Sequence, residues 1–278
     1  MTEERTVYLR KIAKEMRLDI LDMCHRCGKN SAHLSGSLSV VEILAVLFME
    51  IIKLNNVYPP EARDRFILSK GHAGIALYSA LKQIGVVSPE EINQPLRGLD
   101  TVLFRHPKRN ASKYIEMSAG SLGQGLSYGA GVAIALKKKS YNNSRVFVIL
   151  GDGECNEGSV WEAAAFSSHQ KLDNLTVIID KNGLSLDGFT QEIMNMDNLE
   201  DRWASFGFNV VTVDGHDVSE LYEALSRTST NRSGEPVAIL ANTTKGRGVS
   251  FAENAPEWHD KVLSDDYYMI ARREVAND

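Results

Sequence analysis

Leu9, Ile12, Met16, Ile20, Met23 and Cys27 recur at intervals of three and four, which predicts one stripe of an amphipathic helix. A second apolar stretch covers residues 40–52, with Ser37 or Ser39 placed to cap its start. Residues 66–68 form a short strand candidate that runs into Ser69-Lys70-Gly71-His72. The charged segment 93–114 holds Pro95 and Pro107 and reads as a long connection. A glycine-rich segment, 118–125, then opens a helix ending at Lys137-Lys138-Lys139, whose charges suit the negative end of a helix dipole. The sharpest pattern follows: an apolar strand at 146–150, a loop at 151–158, a helix at 159–170 and a strand at 175–179. Strand, helix and strand in that order imply a right-handed crossover and a parallel sheet. Further strands are predicted at 209–213 and 236–240 with a helix between them, and a terminal helix at 264–275. No linker, repeat or biased tract interrupts the chain. The prediction is one α/β domain over residues 1–278, a parallel β-sheet flanked by helices.

Composition narrows the function without naming it. Hydrophobic residues make up 43% and charged residues 24%, ordinary for a soluble protein. A formal charge of −5 gives no basic face for a nucleic acid. No apolar run reaches the length of a bilayer crossing, and the charged N-terminus shows no secretory signal. The three cysteines argue for a reducing compartment, so a cytoplasmic protein is expected. Cys24-His-Arg-Cys27 has the CxxC spacing, but it lies on the first helix and no second pair completes four metal ligands. Buried helix cysteines are the expectation there.

Parallel sheets bind ligands in the loops at the carboxyl ends of their strands. Gly151-Asp152-Gly153 stands at such an end, and its glycines let a ligand approach the backbone. A dinucleotide loop is opposed by Asn156, which replaces the third glycine of GxGxxG, and by the charge of Asp152. A carboxylate repels a diphosphate unless a cation lies between them. The loop is therefore read as a Mg²⁺ site through Asp152, with the metal holding the diphosphate. Mg²⁺ seeks six oxygens, shared among few protein groups, phosphate and water. Asn182, at the end of the next strand, and a backbone carbonyl beside Gly183 would complete the protein's share.

GDGECNEG followed by DKNGLSLDG resembles the thiamine-diphosphate signature as transketolases carry it. The resemblance implies Asp152, Asn182 and the carbonyl of Leu184 as metal ligands, and a Gly153 N–H on the diphosphate. Four of seven histidines fall in motifs similar to the same family: His33 in KNSAHLSGSLS, His72 in LSKGHAG, His106 in FRHPKR and His259 in EWHD. His72 and His259 would meet the diphosphate, with His259 also near substrate. His33 and His106 would hydrogen-bond the donor sugar. Imidazoles suit ketol transfer, which moves protons on and off hydroxyls near neutral pH. His25, His169 and His216 match no motif and are read as structural. Gly120, Ser121 and Leu122 resemble the family loop beside the aminopyrimidine and diphosphate. Lys245 in TTKGRG aligns with a cofactor-side stretch. Glu157 matches a carboxylate at the subunit boundary, or is a solvated residue at a helix start. Gly125, Gly129 and Ala133 place small residues on one helical face, for close packing within the chain or across a subunit boundary.

The resemblance covers only the diphosphate-binding domain of the family. It implies a split enzyme in which a C-terminal subunit brings the pyrimidine domain, as an α₂β₂ assembly. The implied reaction is two-carbon ketol transfer between sugar phosphates, including the branched or sulfonated ketoses of variant enzymes. Rival readings are a deoxyxylulose-phosphate synthase-like subunit, which His33 opposes, and a noncatalytic cofactor-binding subunit.

Overall fold

The computed structural model describes residues 1–54, 59–96 and 102–277. The part of the expected long connection at 97–101 lies outside the described residues. Five strands, β1 (Arg65–Leu68), β2 (Val146–Gly151), β3 (Leu175–Lys181), β4 (Asn209–Asp214) and β5 (Val237–Asn242), form one sheet in the order β1-β2-β3-β5-β4. All four pairings are parallel, with Gly151 beside Asp180 and Lys181 beside Asn242 at the carboxyl edge.

The helices run α1 (Glu3–Arg26), α2 (Leu34–Leu38), α3 (Val41–Val46), α4 (Gly74–Gln83), α5 (Pro89–Ile92) and α6 (Gln124–Lys138). They continue with α7 (Gly158–His169), α8 (Thr190–Ile193), α9 (Leu199–Ser205), α10 (Val218–Thr228) and α11 (Asp265–Asn277). Successive side chains of a strand point to opposite faces, and both faces here are covered. Phe147, Ile149, Ile178 and Ile239 join a core with α1, α3, α4 and α10. Val146, Val148, Leu150, Val177 and Ile179 join a second core with α6, α7 and α9. Burial on both sides is why β2 and β3 read as unbroken apolar runs.

The α1 stripe is observed: Leu9, Ile12, Met16, Ile20 and Met23 are buried, Thr2 caps the helix through Arg5, and Glu3 and Glu4 occupy its first turn. Cys24 is buried, while Cys27 is half-buried at the C-cap. The expected cap of the second stretch is corrected. Ser37 lies inside α2, and α3 starts at Val41 without a side-chain cap. The Ser39 hydroxyl faces Gly36 O and the Asp180 carboxylate instead. The stretch also ends differently, in a π-type turn over Leu47–Ile51.

The small-residue face of α6 packs within the chain. A Cβ on Gly125 would fall 2.4 Å from the Ser69 side chain, and one on Gly129 would fall 2.6 Å from Val148 Cγ2. Those two glycines let α6 lie directly on β1 and β2.

Candidate active site

Because every strand is parallel, the loops after β1, β2, β3 and β5 emerge together at one edge. They line a cavity of about 340 Å³. Lys70 and His72 come from the first loop, Asp152, Gly153 and Glu154 from the second, Asn182 and Leu184 from the third, and Lys245 from the last. His33 enters from the start of α2, His106 and Gly120 from the connection before α6, and His259 from the loop before α11.

The cavity floor is a buried ionic network. Lys70 and Asp180 form an ion pair with side chains 1% and 0% exposed. Asp180 Oδ2 also accepts from Ser39 Oγ at 2.8 Å and from Asn182 Nδ2 at 2.9 Å, and Oδ1 accepts from the Thr243 hydroxyl. Burial pushes the Asp180 carboxyl upward, but the Lys70 ammonium and these donors hold it below the usual range. Removing one partner of such a pair costs about 3–5 kcal/mol, since the other charge is left buried alone.

Glu154 is a second buried carboxylate. It accepts from the Ser69 hydroxyl, from Gly123 N at 2.8 Å and from Gly151 N at 3.1 Å. One side chain thus ties the ends of β1 and β2 to the start of α6. Gly123 caps that helix at φ 81°, and a Cβ there would strike the Glu157 side chain at 2.6 Å.

Asp152 is 2% exposed and accepts from Gly153 N at 2.7 Å and Gly183 N at 2.6 Å. Burial, with Asp180 adding to it, raises its carboxyl to about 6. Asn182 Oδ1 accepts from Leu184 N at 3.0 Å, and Lys245 Nζ reaches the carbonyls of Ser185 at 2.9 Å and Leu184 at 3.4 Å. No cluster of three His, Cys, Asp or Glu suited to a metal occurs among the described residues. The donors here are of another kind: one carboxylate, one amide oxygen and one carbonyl, an all-oxygen set of the sort Mg²⁺ takes. The residues fit a divalent cation, because a buried carboxylate pushed upward is stabilised by positive charge, and Lys245 already brings an ammonium to the Leu184 carbonyl.

Above this floor, four imidazoles meet. His33 lies 5.6 Å from His72, 5.2 Å from His106 and 5.2 Å from His259, ring centre to ring centre, and His72 lies 5.1 Å from His259. Burial lowers His33 to about 4 and His259 to about 3, and holds His72 well below its ordinary value. All three are therefore neutral near pH 7, each with one nitrogen able to give a proton and one able to accept. Among the described residues, His33 Nδ1 and His259 Nδ1 are buried without a hydrogen-bond partner.

The structure brings most of the expected residues to this cavity, and leaves two aside. Ser121 and Glu157 are exposed and lie outside its wall. His216, read as structural, bridges Glu42 on α3 and Thr244 N, and is not part of the cavity wall. His25 pairs with Asp265. Sequence reasoning misses the Lys70–Asp180 pair and Glu154. The signal for the pair is a charge placed directly against an apolar strand end, in Ile-Leu-Ser-Lys70 and Val-Ile-Ile-Asp180.

A parallel sheet with oxygen donors and glycine turns lining a cavity at its carboxyl edge defines an α/β domain of the kind that takes its ligand there. The family model described as "Transketolase, thiamine diphosphate binding domain" matches residues 9–278, and the chain belongs to that family. It is 40% identical over 248 residues to the 6-deoxy-6-sulfo-D-fructose transketolase subunit of a Clostridium species, covering 88% of this chain and 89% of that one. It is 39% identical over 274 residues to an apulose-4-phosphate transketolase subunit of Actinobacillus succinogenes, covering 97% and 96%. Transketolase from Campylobacter jejuni superposes with a TM-score of 0.87 at 30% identity, over 99% of this chain but 43% of that one. The chain thus spans less than half the length of that solved transketolase.

Proposed function

We propose that this chain is the diphosphate-binding subunit of a two-chain, Mg²⁺-dependent transketolase, moving a two-carbon ketol unit from a ketose phosphate to an aldose acceptor. The observation that carries the proposal is the convergence of four imidazoles in the same cavity as Asp152, Asn182 and Leu184. Asp152, Asn182 and the Leu184 carbonyl would hold the metal; His72, Gly120, Leu122, Gly153 and Lys245 would face the diphosphate side. When bound, thiamine diphosphate supplies the carbon nucleophile and electron sink for carbon–carbon cleavage. His33, His106 and His259 would orient the sugar and exchange protons with its hydroxyl and carbonyl oxygens. Each such group contributes roughly 10²–10⁴-fold.

A partner is part of the proposal, a C-terminal subunit carrying the pyrimidine domain in an α₂β₂ assembly. Two relatives that are themselves named as subunits of transketolases support it. So does the apolar rim beside the cavity, where Leu186, Phe189, Ile193 and Met194 are 59%, 46%, 51% and 58% exposed. Contiguous exposed apolar groups of this kind mark interaction sites. No helix among the described residues is long and apolar enough to cross a membrane, and a cytoplasmic location is included in the proposal.

The test is ketol transfer with Mg²⁺ and thiamine diphosphate, by this chain alone and mixed with a C-terminal subunit. Xylulose 5-phosphate, 6-deoxy-6-sulfofructose and apulose 4-phosphate serve as alternative donors with ribose 5-phosphate as acceptor. Activity confined to the mixture is the expected result, and the donor used fastest identifies the sugar class. Activity in the chain alone would overturn the partner requirement. A mixture that binds cofactor but transfers nothing from any donor would overturn the reaction.

A further inference from the structure

Three of the cavity imidazoles stand on stretches with no regular secondary structure to fix them: residues 31–33, 105–106 and 259–260. Two of the rings are poorly anchored by hydrogen bonds of their own, since His33 Nδ1 and His259 Nδ1 have none among the described residues. Beyond the contacts of the rings with one another, their placement comes from the backbone that carries them. We propose that Asp260, which stands outside the cavity wall, is a positioning residue that ties these three stretches together and so sets His33, His106 and His259 relative to one another. The inference rests on reading the cavity as a ketol-transfer site.

The geometry is a hub. Asp260 Oδ1 accepts from Ser31 Oγ at 2.7 Å and from Arg105 Nη2 at 2.7 Å, while Oδ2 lies 3.8 Å from His33 Nε2. Ser31 is two residues before His33, Arg105 is one before His106, and Asp260 itself follows His259. One carboxylate, carried on the His259 stretch, therefore takes a bond from each of the other two stretches. A backbone bridge between Ala32 and Lys261 runs beside it and joins two of the stretches again.

Ser31 adds an independent sign of constraint. Its φ of 48° is a left-handed conformation that a non-glycine residue adopts at a cost. Its single hydroxyl proton has two acceptors in reach, Asp260 Oδ1 at 2.7 Å and the Asn30 carbonyl at 2.8 Å, and the charged carboxylate is the stronger of the two. Arg105 is 12% exposed and Asp260 37%, so the pair is partly screened and contributes little net stability. Its value is in geometry. A misplacement of about 1 Å at a reacting group can cost about 10²-fold in rate, and this hub controls three groups at once.

The first test needs no activity. In ring-edited NMR of the folded chain, Asp260→Ala should shift the His33, His106 and His259 resonances together, with His169 and His216 unmoved. Ser31→Gly, which also relieves the turn, should move His33 most and serves if Asp260→Ala folds poorly. The second test uses the mixture with its C-terminal subunit. Asp260→Ala should lower kcat about 10–100-fold, with the thiamine diphosphate Kd unchanged within about twofold. Asp260→Glu, which keeps the charge and both acceptors, should recover most of the rate. Unmoved histidine resonances, or unchanged kcat, would overturn the proposal. If the wild-type mixture shows no ketol transfer, the functional reading fails, while the NMR result still decides whether Asp260 fixes the rings.

Discussion

At the scale of single residues, the site separates groups that hold charge from groups that keep it away. Asp152 carries a buried negative charge whose protein partners are two backbone N–H groups. Asp152→Ala should leave the fold intact and remove metal-dependent diphosphate binding, a larger loss than the roughly 10–100-fold that follows removal of an outer partner. Calorimetry with Mg²⁺ and thiamine diphosphate measures it; unchanged affinity would defeat the metal-site assignment. His33, His72 and His259 behave oppositely, because burial keeps them neutral. In the unfolded chain they protonate near their ordinary 6.5, whereas in the folded chain His33 waits until about 4 and His259 until about 3. As pH falls from 6.5 through that window, the unfolded state binds protons that the folded state refuses, so stability falls; above 6.5 these groups give no slope. Melting temperatures taken across the window should drop less steeply for His33→Asn than for the wild type, and equal slopes would contradict the assignment. The four histidines, Asp152 and Asn182 were legible because each sits in a motif or at a strand end. Lys70–Asp180 was not, because residues 110 positions apart pair only once β1 and β3 are folded into one sheet.

Among the elements, legibility follows burial geometry. β2 and β3 could be read from sequence because both their faces are covered, which leaves an unbroken apolar run. The start of α3 could not, because the hydroxyl available to cap it is taken by Asp180, 141 residues away. The face of α6 was legible in spacing but not in partner, and the structure assigns it to the sheet. That assignment predicts opposite signs for one substitution on one helix. Gly129→Ala forces a Cβ to within 2.6 Å of Val148 Cγ2 and should destabilise by about 1–3 kcal/mol. Gly131→Ala meets nothing within 4 Å among the described residues and should stabilise by up to about 1 kcal/mol through helix propensity. Chemical denaturation of the two variants decides it, and a neutral Gly129→Ala would mean that α6 stands off the sheet.

For the whole molecule, the parallel sheet gathers every functional loop at one edge and leaves an apolar rim beside the cavity they form. The rim was not legible in the sequence, where Leu186, Phe189, Ile193 and Met194 follow no regular spacing that marks an element or a face. In the structure they share one short segment around α8, exposed and next to the wall formed by Leu184, Leu186 and Asp187. In the proposed assembly this segment meets the C-terminal subunit. Replacing Ile193 and Met194 together by Glu should change the stability of the isolated chain by no more than about 0.5 kcal/mol per site, as for other exposed positions. The same change should block the assembly, because a charge at the centre of an interface is desolvated without a partner. Co-purification and ketol transfer in the mixture read that loss, while the isolated chain's melting temperature guards against misfolding. A double variant that still assembles and turns over would place the partner on another face and leave the rim without a role.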